Sequence, residues 1–223
     1  MSERPISVDV VSDVACPWCY LGKRRLERAI ALVPDLNVAV RWRPYRLDPT
    51  IPPEGMDRTE YVIRKFGSAE ALDEVHERLV AFGRAEEIDY RFDRITRSAN
   101  TVDAHRLIRW AGAAGKEDAI VERLFAAYFS EGRDIGDRGL LARLAGEVGL
   151  DEATVAARLP TDEDRDAVGA EIEDAYRIGV TGVPCFIVDR RYAVVGAHPG
   201  ESIAKAIRQA AAERAAAAAP TIN

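Results

Sequence analysis

Two cysteines three residues apart, Cys16 and Cys19, bracket a proline and a tryptophan. Residues at that spacing on a helix share a face, with Cα atoms roughly 5–6 Å apart, inside the window a disulfide needs. A ring between them can close without moving the backbone. Cys16 reads as the N-cap and Cys19 as the third helical residue, so unpaired N–H groups and the positive end of the helix dipole favour a thiolate at Cys16. The chemistry this predicts is thiol–disulfide exchange, with Cys16 as nucleophile and Cys19 as the resolving thiol. Pro17 fixes a helical φ and removes a donor, and Trp18 sets a flat apolar surface beside the sulfurs where a substrate could lie.

Other chemistries compete for the same residues. A CxxC pair is also half of a zinc site, but the remaining candidates, Cys185, His76, His105 and His198, fall singly, with no second CxxC or HxxxH, and no metal is expected. Asp13, just upstream of Cys16, could relay the Cys19 proton, though a turn-former before a helix is the simpler reading. Asn100 reads as an N-cap or turn residue and His105 as a polar residue of an amphipathic helix. Lys23, Arg24 and Arg25 read as a solvated face. Pro184, at the head of a strand, reads from composition alone as strand punctuation.

The elements that must position these groups are legible in the periodicity. Ile6 to Val11 reads as a strand, Ser12 to Ala15 as a turn, and a helix runs from Pro17, well placed at the first helical position, to about Val33. Pro34-Asp35 breaks it, and Asn37 to Arg43 forms a second strand, completing a β-α-β unit with a right-handed crossover. After the proline-rich connection Pro44 to Pro53, helical spacing is predicted over 57–66, 69–88, 100–115, 117–130, 137–148 and 163–178. Cys185 to Val188, the turn Asp189-Arg190-Arg191 and Tyr192 to Gly196 make a hairpin, followed by a helix from Pro199 to Arg214. The fold class expected is α/β: a thioredoxin-like fold (β-α-β, then β-β-α) carrying a large all-helical insertion. Residues 1–50 and 179–214 would form the thioredoxin-like unit and 55–178 the inserted one, with 215–223 a frayed tail.

Composition narrows the function. At 223 residues, 48% hydrophobic and 30% charged, the chain can bury a core without crosslinks. A net charge of −6 spread along the sequence argues against nucleic acid, and no apolar run is long enough to span a bilayer. Met1 to Pro5 leads straight into the first strand with no secretory leader, so the cytoplasm is the expected location. In a reducing compartment a CxxC is more often catalytic than a structural crosslink.

Four segments together, Cys16-Pro17-Trp18-Cys19-Tyr20-Leu21-Gly22, Trp42-Arg43-Pro44-Tyr45, Asn100 to Leu107 and Gly182-Val183-Pro184, resemble the DsbA-like thioredoxin family. The likeness is closest to its cytoplasmic FrnE-like branch, a neighbour of the 2-hydroxychromene-2-carboxylate isomerases and kappa-class glutathione transferases. The resemblance implies a cis Val183–Pro184 peptide packed against the cysteine pair, with the Val183 backbone free to pair with an extended substrate. It also implies that His105, in the family's Asn-x-x-x-Ala-His segment matched by Asn100, Ala104 and His105, faces the cleft. Disulfide- or thiol-containing proteins and peptides are the implied substrates, with no bound cofactor and with glutathione as a possible redox partner or substrate. A cytosolic glutathione pool favours reductase, isomerase or repair duty over net oxidation. The isomerase relatives generally carry serine where this chain has Cys16, which weakens the alternative of a glutathione-dependent isomerase or transferase. A redox-sensing binding protein is the non-enzymatic alternative. Cys185 and His198 depart from the family pattern, and strand alternation turns Cys185 into the core.

Overall fold

The computed structural model describes residues 4–218. Strand β1 (Ile6–Ser12) is the central rail of a four-stranded sheet ordered β2-β1-β5-β6. It pairs in parallel with β2 (Val38–Pro44), Ile6 opposite Val38 and Ser12 opposite Pro44, and antiparallel with β5 (Cys185–Val188), Val11 opposite Cys185. Strand β6 (Tyr192–Val195) completes the hairpin at the far edge. Being central, β1 buries residues on both faces, and Val8 and Val10 are fully enclosed, whereas edge strand β2 alternates between core and solvent. Helix α1 (Pro17–Ala31) connects β1 to β2 and packs beside the final helix.

The inserted helices are α2 (Arg58–Phe66), α3 (Asp73–Ala85), α4 (Val102–Ala113), α5 (Glu117–Phe125), α6 (Arg138–Glu147), α7 (Glu152–Arg158) and α8 (Arg165–Arg177); α9 (Gly200–Ala218) closes the described chain. The β-α-β, insertion, β-β-α order is that of the expected thioredoxin-like fold. The insertion, however, is not all helical. Met56–Asp57 and Arg97–Ser98 form β3 and β4, a two-stranded antiparallel sheet whose strands are too short to leave a period-2 signal. The predicted 69–88 helix is a 3₁₀ turn (Ala69–Leu72) followed by α3, which stops where the Gly83 carbonyl accepts from both Glu86 N and Ile88 N and Glu87 takes a positive φ of 58°. The 117–130 helix continues past α5 as a π turn over Ala126–Ser130. Helix α7 went unpredicted; Asp151 caps it by accepting from Thr154 N, and Pro160 follows, so it is too short to show periodicity. The tail expected to fray from 215 instead stays helical through Ala218, since alanine is the best helix former; its remainder, 219–223, lies outside the described residues.

One hydrophobic cluster joins the two parts. Val8, Val10, Leu21 and Phe186 of the thioredoxin-like part share it with Leu107, Ile120, Phe125 and Phe129 of the insertion. Tyr20 of α1 stacks on Phe125, ring centroids 5.1 Å apart, and meets Tyr90 edge-on at 5.9 Å. Helix α1 is therefore wedged between the sheet and the inserted helices.

Candidate active site

The turn between β1 and α1 is built by Asp13. Its Oδ1 accepts from Ala15 N at 3.2 Å and its Oδ2 from Leu47 N at 2.8 Å, while its carbonyl accepts from Cys16 N at 2.9 Å. This delivers Cys16 to the N-cap with extended backbone (φ −97°, ψ 115°), Pro17 to the first helical position and Cys19 to the third. Both sulfurs are sheltered, Cys16 at 3% and Cys19 at 1% exposure. The Cys16 thiol donates to the Val183 carbonyl at 3.7 Å. The Val183–Pro184 peptide is cis, and Pro184 rests on α1. That approach depends on Gly22: a Cβ there would sit 2.7 Å from Pro184 Cγ and 3.2 Å from Phe186 Cζ.

The two thiols occupy different electrostatic surroundings. Burial pushes the Cys19 thiol well above its ordinary value, and the hydrogen bond and negative charge of Cys16 push it further; the Ser12 hydroxyl and Asp13 backbone pull the other way. Cys19 thus rests as a neutral thiol beneath Cys16. Trp18 is half-buried, its ring 6.2 Å from that of Phe82, which is 38% exposed, so the rim beside the thiols carries an accessible aromatic pair.

Of the expected supporting residues, Asp13 and His105 are buried, whereas Asn100 is half-buried and turns to the connection after β2. Burial alone raises Asp13, but the hydrogen bond and charge of His105 and the two backbone amides outweigh it and hold the carboxyl below its usual range. His105 Nε2 lies 3.0 Å from the Tyr45 carbonyl and 3.7 Å from Asp13 Oδ1; because a carbonyl only accepts, Nε2 carries the hydrogen. Asn100 spends its amide on backbone, donating to Ile51 O at 2.9 Å and accepting from Val102 N at 3.1 Å, so it fastens the start of α4 to the connection after β2. Cys185 is buried with Val11, Tyr45 and Val180, and burial raises its thiol. His198 is exposed.

Lys23, Arg24 and Arg25 are not a solvated face. Lys23 is 2% exposed and pairs with Glu27, with Asp118 at 3.1 Å and with Glu122 at 3.3 Å. Arg24 binds Glu122 at 2.5 Å, and Arg25 reaches Glu86 at 3.3 Å and the Ala197 carbonyl. Apart from Glu27, the carboxylate partners come from segments far along the chain, which local periodicity does not reveal. Tyr90 also escaped prediction. Its hydroxyl donates to the Pro17 carbonyl at 2.6 Å, and burial followed by the nearby Cys16 charge raises it far above the usual phenol value. No spacing signal ties it to the cysteines; its ring is placed by stacking on Phe92, at 5.2 Å, and by edge contacts with Tyr20 and Phe129. Among the described residues, no three His, Cys, Asp or Glu side chains are grouped to hold a metal ion.

With this geometry in place, the comparisons agree on a family. The model of the DSBA-like thioredoxin domain matches residues 7–208. The crystal structure of a probable DsbA oxidoreductase from Streptomyces coelicolor is 35% identical, with a TM-score of 0.87 over 98% of this chain and 93% of its own. The uncharacterized protein YwbO of Bacillus subtilis (strain 168) is 29% identical over 184 residues, 82% of this chain and 86% of that protein. A 2-hydroxychromene-2-carboxylate isomerase shares the fold at 20% identity, with a TM-score of 0.71 over 96% of this chain and 100% of its own.

Proposed function

This chain belongs to the DSBA-like thioredoxin domain family, and from that premise we propose that it is a cytoplasmic thiol–disulfide oxidoreductase acting through Cys16 and Cys19 on protein or peptide substrates. The observation that carries the reading is the asymmetry of the pair. Cys16 stands at the helix N-cap against the Val183 carbonyl, and Cys19 is held beneath it as a buried neutral thiol. In the reductive direction the Cys16 thiolate attacks a substrate disulfide, forming a mixed disulfide and expelling one substrate thiolate. Cys19, once deprotonated, attacks Cys16 Sγ; the second substrate thiolate leaves and a Cys16–Cys19 disulfide remains. Two electrons have passed to the substrate, and a thiol reductant, glutathione or a dithiol protein, restores the pair. Val183 offers its backbone to an extended substrate, and Pro17, Trp18 and Pro184 line the contact.

The isomerase alternative draws on a relative that shares the fold at low identity. Cys16, where those relatives generally carry serine, favours exchange over it. The test is Trp18 fluorescence with thiol trapping across glutathione redox buffers. The expected result is a single two-electron transition between about −270 and −120 mV, lost in Cys16→Ser. Thiols that never pair over that range sink the exchange reading and turn attention to glutathione-dependent isomerisation; pairing with a large shape change but no turnover supports a redox sensor instead.

A further inference from the structure

The resolving step sets a problem the active-site face does not solve. Cys19 is enclosed and neutral, yet it must lose a proton before it can attack. Asp13, the nearest acid in sequence, is a poor acceptor. Both its oxygens are taken by backbone amides, and its carboxyl is held below the usual range. Beside Ser12, at the edge of the sheet, lies a cavity of about 240 Å3 bounded by β2, α4, α5 and α8. Ser12 and His105 line it at their buried positions, 4% and 5% exposed. Arg43, Glu171 and Arg109 line it where it meets solvent: Arg43 and Arg109 are each 44% exposed and both bind Glu171, at 3.2 and 2.5 Å. The Ser12 hydroxyl is buried without a hydrogen-bond partner among the described residues, and it sits near enough to Cys19 to favour the thiolate there. An unsatisfied buried hydroxyl is costly, and a polar cavity this large takes up water that can satisfy it.

Resting on the exchange reaction proposed above, we propose that this cavity is the proton exit of Cys19 and that Ser12 is the positioning residue between the thiol and the cavity water. As Cys19 Sγ attacks Cys16 Sγ of the mixed disulfide, the Cys16–substrate S–S bond breaks and its electron pair leaves on the substrate sulfur. The Cys19 proton passes to water bound at Ser12 Oγ and out past Glu171. Cys16 at the N-cap of the same helix, Ser12 at the end of β1, Asp13 in the turn that follows and Tyr90 after α3 are the titratable or polar groups that face Cys19. The Glu117 carboxyl, raised by burial, and Arg41 face the cavity with the ion pairs already named.

An aromatic disulfide such as 5,5′-dithiobis(2-nitrobenzoate) separates the two steps. The first thionitrobenzoate released reports attack by Cys16, and the second reports resolution by Cys19. Ser12→Ala is expected to leave the first release unchanged and to move the pH profile of the second upward by about one unit, about tenfold slower at fixed pH. Ser12→Thr, which keeps the hydroxyl, is expected to restore it. Gly112→Leu fills the cavity from α4, where a Cβ meets only the movable Glu117 side chain at 3.4 Å, and is expected to slow the second release alone. An unchanged profile in Ser12→Ala overturns the role of the hydroxyl, and an unchanged Gly112→Leu overturns the cavity route. Wild-type protein that releases only one equivalent refutes the exchange reaction itself rather than its proton exit.

Discussion

Gly22 and Gly169 both lie inside helices, and they should respond oppositely to the same substitution. Alanine in an exposed helix interior is worth about 1 kcal/mol over glycine. At Gly169 of α8 a Cβ meets nothing within 4 Å, so Gly169→Ala is expected to raise the urea midpoint by that order. At Gly22 the added carbon lands on Pro184 with Phe186 behind it, an overpacked site that costs about 1–3 kcal/mol and outweighs the propensity gain. Gly22→Ala is therefore expected to lower the midpoint. It should also alter the alkylation rate of Cys16, because a displaced Pro184 carries with it the Val183 carbonyl that accepts the thiol. A pair of urea curves and an iodoacetamide time course check both signs. At this scale the placing of Cys16 and Cys19 at the start of α1, and of Asp13 in the turn before it, was legible because it follows from neighbours within a few positions. The burial of Lys23 against Asp118 and the bond of Tyr90 to Pro17 were not, since those partners lie about 70 or more residues away in the chain.

One side chain ties helix α7 and the loop after it to α4. Arg106 of α4, fully buried, donates to the carbonyls of Glu163 (2.6 Å), Leu159 (3.1 Å), Arg158 (3.3 Å) and Thr161 (2.8 Å), and pairs with Asp103 at 2.7 Å. The Trp110 ring meets two guanidiniums, that of Arg106 at 5.0 Å and that of Arg158 at 4.1 Å. Arg106→Met strands these acceptors and leaves Asp103 to its surface arginines, at a cost of about 3–5 kcal/mol. Lysine should rescue little, because a single ammonium cannot serve a fork of carbonyls pointing from different directions. Urea unfolding gives the magnitude, and faster hydrogen exchange confined to the amides of 152–165 would tie it to this element. Long periodic helices were readable from sequence because each presents an apolar face to a core. The two-residue strands β3 and β4, the π turn after α5 and seven-residue α7 draw their stability from tertiary partners such as Arg106, and nothing in their own spacing announces them.

The sequence reading divides the chain into a thioredoxin-like unit and an inserted helical one, and the way the two share a core decides how they should unfold. Tyr20 and Cys19 of α1 belong to the same buried cluster as Phe125 and Phe129 of the insertion. Lys23, enclosed between α1 and α5, binds Asp118 and Glu122 across the same boundary. Removing the insertion from α1 would expose the apolar face of each and leave Lys23 without two of its three carboxylates. Neither part then keeps a complete core of its own, so we predict that they melt together. Three tryptophans report different places: Trp18 beside the thiols, Trp42 on β2 against α5, and Trp110 under Arg106. Single-tryptophan variants, with the other two replaced by phenylalanine, are expected to give urea transitions that coincide with each other and with far-UV circular dichroism. A Trp110 signal that departs before Trp18 would show the insertion opening independently. In that case the cleft beside Cys16 would widen without loss of the thioredoxin sheet, and substrate access would be set by that motion rather than by the rigid rim of Trp18 and Phe82.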